Sequence, residues 1–566
     1  MSPPGLMDDV DSVQAQIARN MLTSGDWVIA RLDGVSYLEK SPLIYWLIAI
    51  SYRIFGVHDW VARIPVALAA ILLAWVTWRY GRWAFGRAAG FYAGLAVATC
   101  VGLFLFTRIQ IPDVMLTVSV CVAFWSFQRA LDEQEPRARL WAALLAASLG
   151  VGLMLKGLIA VVVPIGGVTM YLALTRQIFS RGVWKRLHLL TGLCIILAIA
   201  APWHVLATLR MPPYFHLALH SGPGEYHGFF WFYFINEHVL RFLNLRYPRD
   251  YNTVPRLAFW LLHLLWLFPW SVFFPAVIGL GFKPVDRPGH TRLLLLCWTT
   301  FLLVFFTFST TQEYYSMPVY PALALLVGSA MATESWWVRG GTRLIGIISV
   351  VAALAIAGIL FAVRHVPTPG DISSVLQQHP EAYTLSLGHL GDLTLTSFAY
   401  LRVPLIVAGV SFLIGALGAW LFKGQRAFLA LAVMMIGFFH ASRLALVTFD
   451  PYLGSRPLAE ALLRSPNGQL ILNGEYYSFS SVFFYTGRTA LVLNGRVNNL
   501  EYGSYAPGSP PVFIGDVQFA ELWSKPERCY MLTDSVDINR LTRIVSAATF
   551  HKILESGGKL LLTNQP

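Results

Sequence analysis

Between residues 60 and 447 the chain is a succession of apolar runs broken by short polar segments. A hydrocarbon core of roughly 30 Å takes about 20 residues of helix to cross, so each run is a candidate membrane span. Twelve qualify: 60–79, 88–106, 112–130, 139–155, 158–175, 187–207, 257–280, 292–309, 318–333, 343–363, 402–422 and 427–447. The breaks between them alternate in charge. Those near 79–87, 129–139, 176–186, 283–292, 339–343 and 423–426 carry Arg and Lys, which places them on the cytoplasmic side. Segments 1–59, 107–112, 208–256, 310–317, 364–401 and 448–566 then lie outside. Both ends fall on the same external face. That arrangement leads us to expect a further apolar helix upstream of Met1.

The flanking regions follow other patterns. Residues 1–59 hold two amphipathic stretches, VQAQIARNMLTSG and SPLIYWLIAISYRIFG; the first is expected to lie along the membrane interface and the second to be partly immersed. The tail alternates a helical pattern, RPLAEALLRS, with strand-like GQLILNG, SVFFYTG, TALVLNG, PVFIGD, CYMLTD and KLLLTN, set off by Gly and Asn turns. This predicts a small α/β domain. The fold class is therefore an all-α polytopic membrane domain over 60–447, preceded by an external loop (1–59) and followed by an external α/β domain (448–566).

Composition sharpens this picture. Of 566 residues 56% are hydrophobic and 13% charged, against roughly 25% charged in soluble domains. The formal charge of +12 sits in short loops, an orientation signal rather than a nucleic-acid stripe. Cys100, Cys121, Cys194 and Cys297 fall in apolar runs and Cys529 has no evident mate, so there is no disulfide framework. No Gly-rich phosphate loop appears, and no nucleotide cofactor is expected.

Candidate chemistry gathers on the external side: Asp8, Asp9 and Asp11 at the front; Glu39 and Lys40 in YLEKSP; Asp113 in RIQIPDVML; Glu237, His238 and Arg241 in NEHVLRF; Tyr314 and Tyr315 in TQEYYSMP. Ionisable residues at span ends are costly unless used or solvated. Bland roles exist for each. Asp9 or Asp11 can cap a helix starting near Ser12, Asp113 can open an apolar helix, Lys40 can snorkel, and the tyrosines can belong to an interfacial belt. Their common sidedness is what carries information.

Taken in order, DDVDSVQAQIARNMLTSGDW, GVSYLEKSPLIYWLIAISYRIFGVHDWVARIPVALA, RIQIPDVML, FFWFYFINEHVLRFL and QEYYSMPVYPALALL resemble the GT-C superfamily of lipid-linked-sugar glycosyltransferases. The likeness is to the branch holding bacterial aminoarabinose transferases of lipid A and protein O-mannosyltransferase-like enzymes. The resemblance implies a GT-C fold of thirteen spans with a periplasmic domain, in the bacterial inner membrane. It implies transfer of a sugar from a polyprenyl-phosphate donor to a glycolipid or protein acceptor, with no nucleic acid involved. Residue by residue, Lys40 matches a lysine on the donor phosphate, Tyr315 a tyrosine near it, and Asp113 a second acidic residue at the start of a span. Arg241 is a further candidate for the phosphate. Glu39 and His238 match positions implicated in holding a divalent cation, Zn²⁺ or Mn²⁺ by ligand chemistry. The family's catalytic Asp aligns with Val10, leaving Asp9 as first choice and Asp11 as second; the Arg and Tyr that usually follow are Val13 and Gln14 here. A leaving lipid phosphate needs cations and hydrogen-bond donors, and a hydroxyl acceptor needs a base, which these residue types supply. A secondary transporter would instead place its charges near the midplane, in repeated halves; a non-catalytic scaffold would have no use for Asp9, Lys40 and Asp113 together.

Overall fold

The computed structural model describes residues 4–249, 253–309, 311–377 and 388–566; the expected external segment 364–401 thus lies partly outside the described residues. Among the described residues eight helices are long and apolar enough to cross a membrane: Asp59–Phe85, Asp113–Leu131 (α3), Ala138–Lys156 (α4), Arg181–Arg210, Arg287–Thr307, Trp336–Ala362, Arg402–Leu421 and Gln425–Leu453. A ninth follows if Arg256–Trp266 and Trp270–Ile278, bent by 97°, are taken as one. The bend falls at Pro269, which cannot donate to the preceding turn.

The remaining three predicted spans are helical but built differently. Segment 88–106 breaks between Ala98 and Val101. Segment 158–175 yields a 16-residue helix, Ile159–Leu174. Segment 318–333 becomes a 3-10 turn, Glu313–Val319, leading into the short helix Tyr320–Met331. All but one of the residues of that last helix are buried. Hydropathy marks such a helix just as it marks a span, yet its apolar surface is covered by protein rather than lipid, so it need not be about 20 residues long.

Ahead of the membrane part, helix Val10–Ser24 (α1) leads to a hairpin, β1 (Arg31–Leu32) with β2 (Val35–Ser36), and then to helix Leu43–Phe55 (α2). The first amphipathic stretch was expected on the membrane surface and is not there. Asp11 through Ala18 and Met21 are buried, because α1 is wedged between α2 and the tail helix Ser480–Thr486 (α5). Its Ala, Ile and Val side chains allow the close approach this requires. α2 remains half apolar and half open, with Ile50, Ile54 and Phe55 exposed.

The tail is an α/β unit on a six-stranded sheet of order β5-β4-β3-β6-β8-β7, formed by β3 (Gln469–Asn473), β4 (Leu491–Leu493), β5 (Phe513–Ile514), β6 (Cys529–Asp534), β7 (His551–Ser556) and β8 (Lys559–Thr563). The first four strands are parallel and β8 and β7 antiparallel. Two departures from expectation share one cause. SVFFYTG, strand-like by its aromatic and β-branched residues, is helix α5, since β3 and β4 run parallel and a parallel pair needs a crossover between its strands. HKILES, unmarked in the sequence, supplies β7. A helix Asn498–Ser504 (α6) crosses from β4 to β5.

Candidate functional site

The hairpin and the start of α2 bracket the loop Tyr37–Ser41 and fix it to the membrane part. Ser41 Oγ donates to the Leu153 carbonyl at 2.8 Å and pairs with the Tyr233 hydroxyl. Pro112 opens α3, so Asp113 is its first residue, where the helix dipole favours a carboxylate. Lys156 is the last residue of α4, whose end at Gly157 takes a positive φ of 72°. A π-helical segment, Trp231–Leu240, carries Glu237 and His238, with Arg241 directly after it.

These elements enclose a cavity of about 410 Å³. At its polar end stand Glu39, Lys40, Asp113, Lys156, Arg241 and Tyr315; Leu116, Ile159, Val162, Val239, Phe242 and Phe305 are among the apolar residues of its body. The charges are interlocked. Lys156 Nζ lies 2.5 Å from Asp113 Oδ1 and 4.4 Å from the centroid of the Tyr315 ring. Arg241 meets Glu237 at 2.6 Å, and Glu237 also accepts from the buried Arg246. Glu39 Oε2 accepts from the Tyr37 hydroxyl at 2.7 Å and from Asn499 Nδ2 at 2.8 Å. Glu39 Oε1 stands 3.5 Å from Arg241 and 3.8 Å from Lys40. Burial by itself would raise the Glu39 pKa, but Lys40, Arg241 and Arg246 outweigh it and hold the group at about 2.

The structure thus gathers Glu39, Lys40, Asp113, His238, Arg241 and Tyr315 around one cavity. Asp9 and Asp11 are not among its lining residues. The front carboxylates tie the chain together. Asp8 accepts from the Ser481 N–H at 2.8 Å, at the start of α5, and from Ser455 and Lys559. Asp11, expected as a helix cap, lies in the first turn of α1 while Asp9 holds the N-cap position. The Asp11 carboxylate is buried, pairs with Arg63 at 2.9 Å, and accepts from the N–H groups of Met7 and Gln110. Asp9 is exposed, with a φ of 68°.

A cation held by Glu39 and His238 does not fit this geometry. The Leu158 N–H donates to His238 Nε2 at 3.1 Å, and His238 Nδ1 bonds the Tyr233 carbonyl. Both ring nitrogens are therefore engaged, as a neutral imidazole with one acceptor and one donor. Burial lowers the His238 pKa to about 4, consistent with that state. Among the described residues no group of three or more His, Cys, Asp or Glu could hold a metal ion.

Three participants escaped the sequence reading. Lys156 had a signal: it is the only charged residue between Arg139 and Arg176, and a lone cation in apolar surroundings calls for a partner. Arg246 and Asn499 had none, because they meet each other across 253 residues and Asn499 meets Glu39 across 460.

The resemblance to lipid-linked-sugar glycosyltransferases is matched by known proteins. The family described as dolichyl-phosphate-mannose-protein mannosyltransferase matches residues 39–205. The undecaprenyl phosphate-alpha-4-amino-4-deoxy-L-arabinose arabinosyl transferase of Aeromonas hydrophila is 28% identical over 327 residues, 56% of this chain and 54% of that protein. A second transferase of that description, from Pseudomonas fluorescens, is 30% identical over 62% of this chain and 58% of its own length. The chain thus spans little more than half the length of these curated relatives. The crystal structure of ArnT from Cupriavidus metallidurans bound to undecaprenyl phosphate superposes over 99% of this chain and 94% of that one, with a TM-score of 0.77 and 22% identity. The protein is a multi-pass membrane protein with the ArnT-like fold.

Proposed function

We propose that the chain is an integral membrane glycosyltransferase that moves a sugar from a polyprenyl-phosphate donor to an envelope acceptor, a lipid A-type glycolipid or a protein. In this reading it sits in the bacterial inner membrane with 1–59 and 448–566 on the periplasmic side and the transmembrane part, 60–447, between them. The observation that carries the proposal is the lining of the cavity, mostly apolar residues together with Lys40, Arg241 and Lys156. A polyprenyl phosphate has the same division into an apolar chain and an anionic head. Lys40 and Arg241 would neutralise charge on the departing phosphate and Tyr315 would donate a hydrogen bond. Asp113 would keep Lys156 extended towards the head of the cavity. Asp9 is our assignment for the base acting on an acceptor hydroxyl. It ranks ahead of Asp11 because the Asp11 oxygens are taken up by Arg63 and two N–H groups.

The test is transfer by the purified protein from radiolabelled undecaprenyl-phosphate sugars, scanned across lipid A and protein acceptors. Lys40→Ala should weaken donor use sharply in correctly folded protein. Lys40→Arg should recover it only in part, since a planar fork replaces a compact charge. Wild-type turnover by Lys40→Ala would remove Lys40 from the phosphate site, and no transfer to any acceptor class would overturn the proposal.

A further inference from the structure

We infer that Asn499 of the tail is a positioning residue for this site: it keeps the Glu39 carboxylate from closing to short pairs with Lys40 and Arg241, so that Glu39 does not cancel their charge towards an anionic ligand. The inference rests on the donor-phosphate reading just given and adds the tail domain to the machinery.

The tail reaches the site through α6. Tyr502 stacks on Phe232 with ring centroids 4.2 Å apart, and its hydroxyl accepts from the His227 N–H at 3.0 Å and donates to the Gly228 carbonyl at 3.1 Å. Glu501 accepts from the Tyr247 hydroxyl at 2.7 Å. With both anchors set, Asn499, 4% exposed, has a defined orientation. Its Oδ1 accepts from Arg246 Nη2, a group with donors only, so its NH₂ must face Glu39.

The consequence lies in how the two oxygens of Glu39 are used. Oε2 is taken by two neutral donors, Tyr37 and Asn499, at normal hydrogen-bond lengths. Oε1 accepts a long bond from Arg241 Nη1 at 3.5 Å and stands 3.8 Å from Lys40 Nζ, both longer than the 2.7–3.2 Å typical of an N–H···O bond. A carboxylate free to turn beside a guanidinium and an ammonium closes to charge-assisted bonds. Glu39 is adjacent to both, yet it makes only a long bond to Arg241 and a looser ion pair with Lys40. With the amide gone, Oε2 keeps only Tyr37 on that side, and the carboxylate can rotate onto Arg241 and Lys40 and neutralise the groups a phosphate would need.

Binding of undecaprenyl phosphate to the full-length detergent-purified protein tests this through a double-mutant cycle. Asn499→Ala should weaken binding on the order of tenfold in the wild-type background and less than about twofold in the Glu39→Gln background, where no charge is left to collapse. Asn499→Asp, which keeps the size and the acceptor for Arg246 but sets a carboxylate against Glu39, should weaken binding and be relieved by Glu39→Gln in the same way. This second variant carries the test if Asn499→Ala lowers the melting temperature. Equal losses in both backgrounds would mean a merely structural role and overturn the inference, as would unchanged binding by both Asn499 variants. Lys40→Ala separates the two levels. If it binds undecaprenyl phosphate like wild type, the donor-site reading fails; if it binds weakly while the Asn499 variants do not, only the positioning role falls.

Discussion

Removing Lys156 should destabilise the protein markedly. Asp113 is 1% exposed, its Oδ1 is 2.5 Å from Lys156 Nζ, and its Oδ2 makes no hydrogen bond among the described residues. Lys156→Met therefore leaves a buried carboxylate without compensation. Breaking a buried pair from one side costs about 3–5 kcal/mol. The Lys156 side chain is 22% exposed, so screening places the loss near the lower end, about 3 kcal/mol. The combined variant Lys156→Met, Asp113→Leu removes both charges and should recover most of that loss, because the desolvation of two ions disappears with their attraction. Thermal unfolding in detergent, followed by tryptophan fluorescence, gives the stability order: wild type and the double variant close together, the single variant well below. Undecaprenyl-phosphate binding by the double variant should stay weak, since a cation has left the head of the cavity. A single variant as stable as wild type, or a double variant no better than the single, would refute the reasoning.

Other expectations concern carboxylates of the first 59 residues and the histidine. Burial raises Asp33 to about 7 against the N–H of Ala490. Its folded pKa then lies above the unfolded value of about 3.9, so its contribution is most favourable below that value and is lost as pH rises through about 7. Asp33→Asn should melt higher than wild type at pH 8, with the difference vanishing near pH 4; a constant difference would count against the shift. Asp11→Asn should destabilise by about 1–3 kcal/mol, because it strips the charge from a buried partner of Arg63, while Asp9→Asn should melt like wild type and lose about 10²–10⁴-fold in transfer. Equal melting of the Asp11 variant, or full transfer by the Asp9 variant, would reverse those roles. EDTA should change neither undecaprenyl-phosphate binding nor melting, since both His238 nitrogens are bonded within the chain; loss of either, restored by Zn²⁺, would place a metal at the site. Burial sets the His238 folded pKa below its unfolded value, so its share of stability is complete above about 6.5 and declines as pH falls towards about 4. His238→Asn should flatten melting over that window.

The sequence was legible where one helix or one loop decides the matter. Apolar runs located each of the eight long spanning helices because hydropathy is local, and YLEKSP, RIQIPDVML, NEHVLRF and QEYYS named eight residues that now ring one cavity. It misled where the same local signal has two outcomes. Tyr320–Met331 is apolar because protein covers it, and SVFFYTG is rich in strand formers yet must cross between parallel strands. It was silent where a role depends on distant partners. Nothing in NNLEYGS announces that its second residue meets Glu39 across 460 positions, and nothing in the three early aspartates distinguishes the one bonded to Arg63 from the one left exposed.

The bond between Asp8 and Lys559 joins residues 551 positions apart. At about 5–20 residues per second of synthesis, the first helix is made roughly half a minute or more before its partner strand exists. For most of that interval α1 has no α5 to rest against, and Glu39 and Arg246 have no amide between them. The membrane helices can insert and pack while the head of the cavity is unfinished. On the donor-site reading proposed above, undecaprenyl-phosphate binding in a nascent chain should therefore strengthen once α6 has folded onto the head of the cavity rather than grow with each span.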